Sequence, residues 1–411
     1  VRLGYEVFSK SIIIAHSKWL RSCKIITLKK LLYDSSYRSK LIQGLTLLLV
    51  CGIGYYFYSN VVENLHRMEL PFGFDFISST AGFDIGWSII PYDPTMSYAW
   101  VYLVGICNTL ILSALIIFFA TALGFVVGII RLSRNFLLSQ CARWYVEFIR
   151  NVPLLIQIIF WFIVVFSTLP APRGSYHLLD TFFLNNRGFY FPAPVFETNS
   201  SWTVIAALLA CICSYILLKK SQIFRKRNGK RLPILYPSLI ALLGFVAIIF
   251  MVTGSPLHWA VPSLQGFNFH DGFFFPTAFM AAFVAMTTYR SATIGEMVRA
   301  GIQSIDPGQL EAASAIGFSR FKTLRLIIVP QAARAILPPL INIWLTIVKE
   351  SSLAVAIGFP ELVSVFIQTS LNQTGRAIEI VLMVMGFYMC TSLSISYIMN
   401  RYNKRIQLQE G

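Results

Sequence analysis

The sequence predicts an all-α polytopic membrane protein with about eight transmembrane helices. Hydrophobic residues make up 56 % of its 411 residues and charged residues only 13 %, where soluble domains carry about 25 % charged. The mean hydropathy is +0.66. Apolar stretches of about 20 residues recur, each able to cross a ~30 Å hydrocarbon core as a helix. Basic residues gather between alternate stretches, as membrane topology requires.

The spans read as 41–59, 100–130, 152–169, 202–218, 233–253, 273–295, 336–358 and 377–398. The second is longer than a crossing needs, so it tilts or extends into water. Segment 1–40 is basic and has no apolar core followed by small residues. No cleavable signal peptide is expected, and the first span reads as a retained helix. Residues 41–99 comprise that span and an outer loop bearing Glu63, Glu69, Asp75, Asp84 and Asp93, with Trp87 and Trp100 as interface anchors. Residues 170–201, rich in Pro, Gly, Asn and aromatics, read as an ordered outer loop.

Lysine and arginine set the orientation. Segment 1–40, the connections near 131–150, 219–231 and 299–334, and the tail 401–411 together hold 28 of them. The opposite side has only Arg67, Arg173, Arg187 and Arg376, and Arg290 and Lys349 fall inside spans. An even number of spans with both termini cytoplasmic follows. The same distribution accounts for the net charge of +16 without nucleic acid, which would need a solvated basic face.

Catalytic and metal chemistry find no foothold. There is no G-x-x-x-x-G-K-[ST], H-E-x-x-H or G-x-S-x-G sequence, and His16, His66, His177, His258 and His270 are scattered. Cys51, Cys107, Cys211, Cys213 and Cys390 fall in spans, and Cys23 and Cys141 in basic segments. No disulfide framework is implied, and the Cys211-x-Cys213 pair reads as packing.

The informative segment is 299–339. Asp306-Pro307-Gly308 is a turn and helix-start signal. Gln309 to Ala315 forms helix readily, Gly317 breaks the run, and a second helical stretch from Ser319 to Val329 ends at Pro330. Two alanines give a thin face, Gly317 permits positive φ, and the basic second helix can rest at the interface. Such an elbow could dock on a soluble partner; the plain alternative is a passive interfacial loop.

The spacing of Glu311-Ala312-Ala313, Gly317 and Ile327-Ile328-Val329-Pro330 resembles the EAA loop of ABC importer permeases, with Val329 where leucine is usual. Gly308-Gln309, Pro330-Gln331-Ala332 and Leu337-Pro338-Pro339 extend the match. Lys349-Glu350-Ser351-Ser352-Leu353, Asn108-Thr109-Leu110 and Arg150-Asn151-Val152-Pro153-Leu154-Leu155-Ile156-Gln157 resemble the polar amino-acid subfamily. The resemblance covers roughly 100–400. It implies a type I permease core in 100–400, with 170–260 as an insertion of two extra spans, as in the long permeases of general L-amino-acid importers. It also implies a two-fold permease dimer (a heterodimer rather than a homodimer), two cytoplasmic ATPase subunits and a periplasmic amino-acid-binding protein. Glu311, Ala312, Ala313, Gly317, Arg320 and Pro330 would couple to the ATPase. No cofactor would sit in this chain; ATP and Mg would bind the partner ATPase. A self-sufficient secondary transporter is the competing class, which copurification of an ATPase would exclude.

Charges inside spans cost about 2.5–3.5 kcal/mol each on insertion scales. Arg290 could meet a substrate carboxylate from a cavity, or pair structurally with Glu350. Lys349 and Glu350, as helix neighbours, do not face one another. With Asn342, Thr346, Ser351 and Ser352 they read as a pore-lining face, with local unwinding there. Glu296 and Arg299 read as a structural ion pair. Phe273, Phe274, Phe275 and the tyrosines near 55–58 and 289 could form an aromatic cage, though interface anchoring is commoner.

Overall fold

The computed structural model describes residues 35–67, 73–196, 200–228, 235–252 and 257–407. Most of segment 1–40, including His16 and Cys23, lies outside the described residues, as do Lys230, Arg231 and residues 408–411. The chain divides into two units, Val1–Gly73 and Phe74–Gly411. The first contains helix α1, Ser35–Arg67. Its apolar side chains, among them Leu47, Leu48, Leu49 and Ile53, are exposed, as lipid contact requires.

The second unit is a helical bundle carrying small antiparallel sheets. Helix α2 is Tyr98–Arg131, α3 Phe136–Asn151 and α4 Leu154–Phe160, the last extended by wide π-type turns over Trp161–Phe166. Two further helices follow, α5, Ser200–Asn228, and α6, Leu235–Val252. Helix α7 is Thr277–Gln303, and α8, Pro307–Ala315, follows it. Then come α9, Arg320–Thr323, and α10, Val329–Glu350, joined by π-type turns over Leu324–Ile328. The chain closes with α11, Leu371–Thr374, and α12, Ala377–Gln407.

Among the described residues, five helical stretches are long and apolar enough to cross a membrane: Arg38–Asn64, Tyr98–Arg131, Ile205–Phe224, Phe321–Ile357 and Ala377–Arg401. A sixth arises if the pair Phe136–Asn151 and Leu154–Phe166, bent by 100°, is one span. The eight expected spans are thus met in part. The stretch expected at 233–253 is an apolar helix shorter than the others. The stretch expected at 273–295 begins as a strand and becomes helical only at Thr277. Helix α7 falls short in apolarity because it turns Thr287, Arg290 and Ser291 inward.

The expectation of an all-α chain needs correction. Strands β1, Tyr176–Leu178, β2, Phe182–Asn185, β3, Gly188–Phe191, and β8, Phe273–Pro276, form one antiparallel sheet in the order β1-β2-β3-β8. Strands β4, Ala193–Phe196, and β5, Leu257–Ala260, pair with each other, as do β6, Ser263–Gln265, and β7, Asn268–His270. The aromatic residues of these segments, expected in an ordered outer loop and at the start of the span 273–295, are β-formers that pair backbones and stack rings. Tyr190 stacks on Phe274 at 5.3 Å and Phe275 on Phe279 at 4.1 Å.

Helices α2 and α7 form the centre. Gly124 and Gly128 let the backbones touch: a Cβ at Gly124 would lie 2.6 Å from Ile294 Cβ, and one at Gly128 would lie 2.7 Å from Gly295 O. Small residues at this spacing are the usual device for close helix packing where lipid replaces water. Around this seam Leu112, Ile116, Phe279, Met286, Ile294 and Ile347 are fully buried.

Candidate functional site

The elbow after α7 is built by its caps. Asp306 Oδ1 accepts from Gly308 N at 2.8 Å, and Pro307 occupies the first turn, where its missing N–H costs nothing. At the other end Phe318 N bonds Ala313 O at 3.0 Å and Gly317 N bonds Ser314 O at 3.0 Å. This is a Schellman closure, and it demands the left-handed backbone that Gly317 adopts at φ +78°. An added Cβ at Gly317 would meet nothing within 4 Å. The glycine therefore serves backbone geometry within this chain.

Of the expected coupling residues, Ala313 is buried, Glu311, Ala312, Gly317 and Pro330 are exposed, and Arg320 opens α9. Leu310, Ile316 and Phe321 are exposed beside them, giving the elbow an apolar outer surface. Pro330 does not end the second helix, as the sequence suggested. The helical path runs on through it into α10. The preceding π-type turns widen the backbone, and Pro330 falls in the first turn of α10, where no N–H is needed.

The charges expected along the path are partly brought together. Arg290, buried on α7, grips both carboxylate oxygens of Glu350 at the end of α10, with Nε to Oε2 at 2.7 Å. Its guanidinium also lies 5.2 Å from the Tyr289 ring centroid. The pairing alternative for Arg290 is the one observed. Lys349 and Asn342 are exposed. Thr346 Oγ1 donates to Asn342 O at 2.7 Å, Ser351 Oγ to Val348 O at 2.8 Å and Ser352 Oγ to Lys349 O at 2.7 Å. Where the sequence suggested unwinding, the helix instead tightens to 3-10 geometry over Ser351–Ile357 and stops at Gly358. Phe273, Phe274 and Phe275 pack into the core, and Tyr55, Tyr56 and Tyr58 lie exposed on α1. No aromatic cage is assembled from Phe273–Phe275. Glu296 binds Arg299, Nε to Oε1 at 3.1 Å, and also Arg131 of α2, which sequence spacing could not show.

Two quoted motifs acquire structural reasons. After Arg150-Asn151-Val152-Pro153 the chain bends by 100°, and Gln157 Nε2 donates to Ile149 O at 2.8 Å and Val152 O at 2.9 Å. The glutamine thus satisfies carbonyls that the proline break leaves open. Asn108 and Thr109, fully buried on α2, bind the turn after Gly358. Asn108 Nδ2 donates to Pro360 O at 2.8 Å, and Thr109 Oγ1 accepts from Leu362 N at 3.1 Å. Glu361, in the same turn, is fully buried and accepts from Val363 N and Ser364 N, each at 2.8 Å. Sequence reasoning missed Glu361; the Gly-x-Pro-Glu turn before it was the available signal.

Residues 232–408 match the family of binding-protein-dependent transport system inner membrane components. YhdX of Escherichia coli (strain K12), named among amino-acid ABC transporter permeases, is 41 % identical over 92 % of this chain and 96 % of its own length. The general L-amino acid transport system permease protein AapQ of Rhizobium johnstonii is 40 % identical over 92 % of this chain and 94 % of that protein. The chain belongs to the amino-acid ABC transporter permease family. An amino acid ABC transporter solved with histidines has 20 % identity and a TM-score of 0.45, covering 75 % of this chain and 95 % of that one.

The permease is thus a multi-pass inner-membrane component of a binding-protein-dependent importer, and not its ATPase. Such a component works with an ATPase and a binding protein, which removes the secondary-transporter alternative.

Proposed function

We propose that the permease forms half of a translocation path for polar L-amino acids, driven by a cytoplasmic ATPase that grips the elbow at Gly317. The carrying observation is the capped, outward-facing turn of α8, with Glu311 and Ala312 exposed and open space at Gly317. Glu311, Ala312, Ala313, Gly317, Arg320 and Pro330 form the coupling element, and ATP and Mg bind the partner. Closure of the ATPase moves α8 as a rigid body and, through α9, tilts α10.

The chain makes eight crossings with both termini cytoplasmic, in keeping with the 28 to 4 distribution of basic residues. Helices α4, α6 and α7 supply the crossings beyond the five. The 27 residues of α7 reach about 40 Å, enough for a bilayer. Asn342, Thr346 and Lys349 share one face of α10 and, with Ser352, line the path. Arg290, Glu350 and Ser351 hold the helices that frame it. The second half is a different permease, so the pore is a heterodimer. Substrate breadth follows that of AapQ, a general L-amino acid permease by name, and BztB of Rhodobacter capsulatus, named for glutamate, glutamine, aspartate and asparagine.

The test places cysteine at Ala312 and cross-links it in native membranes. Linkage to the ATPase, together with amino-acid uptake that needs ATP and the binding protein, is the expected result. An Ala312 label reachable only from outside the cell would overturn the reading.

A further inference from the structure

Where α2 and α7 finish, the bundle carries a charged concavity that the transport reading does not use. It has a volume of about 400 Å³ and is lined by Arg131, Val146, Glu147, Arg150, Asn151 and Glu296. Its carboxylates are taken. Glu296 is held by Arg131 and Arg299, and Glu147 accepts from Arg143 Nε at 2.9 Å. Arg150 makes no side-chain hydrogen bond or ion pair among the described residues. Arg131 and Arg150 line the cavity with the two carboxylates, and the ion-pair partners Arg143 and Arg299 bring the cluster to four guanidiniums, an excess of two positive charges. That excess of charge repels an ammonium group and attracts an anion.

Helix α3 indicates the source of that anion. One stripe, Ala142 and Val146, is buried against Val127 and Ala292. A second is Arg143, Glu147 and Arg150 at i, i+4 and i+7, of which Glu147 and Arg150 line the cavity. A third, Leu137, Trp144 and Phe148, recurs at helical spacing and is 69 %, 66 % and 71 % exposed. The 100° bend into α4 lays α3 across the membrane plane when α4 runs along the normal. A helix so placed has acyl chains on its apolar stripe and headgroups beside its basic one.

We propose that the cavity bounded by Arg131, Arg150 and Asn151 is a binding site for an anionic phospholipid. Its phosphate sits between the guanidiniums, and its acyl chains lie along Leu137, Trp144 and Phe148. Guanidinium forks suit phosphate oxygens, and basic pockets at the membrane–water boundary select anionic headgroups. A soluble phosphate would use the same guanidiniums but would leave the apolar stripe uncovered.

The test uses the full-length permease with its partners, held in nanodiscs of phosphatidylcholine and phosphatidylglycerol and released into native mass spectrometry. The wild type is expected to retain phosphatidylglycerol in preference to phosphatidylcholine. Arg150→Gln is expected to lose about fivefold in retention, the worth of one charge near the surface. Arg150→Lys keeps most of it, and Glu147→Gln raises it. Arg150 is exposed and unpaired, so its removal does not threaten folding. Equal retention of the two lipids, or no change in Arg150→Gln, overturns the proposal. So does Arg150-dependent stabilisation by inorganic phosphate equal to that by lipid, or cross-linking from Cys141 to another subunit instead of lipid.

Discussion

Arg290 of α7 and Glu350 of α10 meet as a two-pronged ion pair, 60 residues apart in sequence. Arg290 is 9 % exposed. Removing one partner of a buried pair strands the other charge, at about 3–5 kcal/mol, whereas apolar replacement of both is often neutral. Arg290→Met and Glu350→Leu are each expected to lower thermal stability in detergent, and the double variant to recover it along with uptake. A stable double variant that carries nothing would move Arg290 from the frame into the path.

Gly317 separates backbone geometry from docking. Asparagine tolerates its left-handed conformation, while alanine costs about 1–2 kcal/mol there. Gly317→Asn and Gly317→Asp are expected to reach the membrane in normal amounts but to hydrolyse ATP without uptake. The measurement is ATPase activity and transport in the same proteoliposomes. Normal ATP-driven uptake by Gly317→Asp would refute the coupling role.

The buried knot at Glu361 sets an order of losses. Two backbone N–H groups rely on its carboxylate, one on Thr109, and Tyr388 Oη stands at 3.5 Å from it. Glu361→Ala is expected to cost about 3 kcal/mol, Thr109→Val about 1–2, and Tyr388→Phe least. Denaturation midpoints of the purified protein give the ranking. Equal losses for all three would show that the turn is held by packing alone.

The glycine seam between α2 and α7 gives the bluntest expectation. Gly128→Leu drives a side chain into Gly295 O and Val298 and should abolish accumulation of folded protein. Gly244→Leu, whose surroundings are open, should not. Membrane levels by immunoblot compare them.

Signals that depend on local pattern were legible in the sequence. Apolar length gave the main spans, and the Asp306-Pro307 start and Gly317 stop gave α8 almost to the residue. What depended on contacts across the fold was not. Pro330 looked like a terminator because the widened turns before it have no one-dimensional signature. Glu361 carries no local signal of burial; it acquires its role when its turn folds under Asn108 and Thr109. Arg131 gained its meaning only when α2 packed on α7 and brought Glu296 to it. Phe273–Pro276 became a strand because it found a partner far back in the chain, where Phe275 pairs with Phe189.

Pairing of β4 with β5 brings Ala193 opposite Ala260 and Phe196 opposite Leu257. The polypeptide therefore departs toward α5 and returns from α6 through one doorway. A length of chain tethered in this way can be acquired, exchanged or excised without rerouting anything on either side. The hairpin of helices is in that sense a detachable accessory, and a short peptide bridging Phe196 to Leu257 would be its natural replacement.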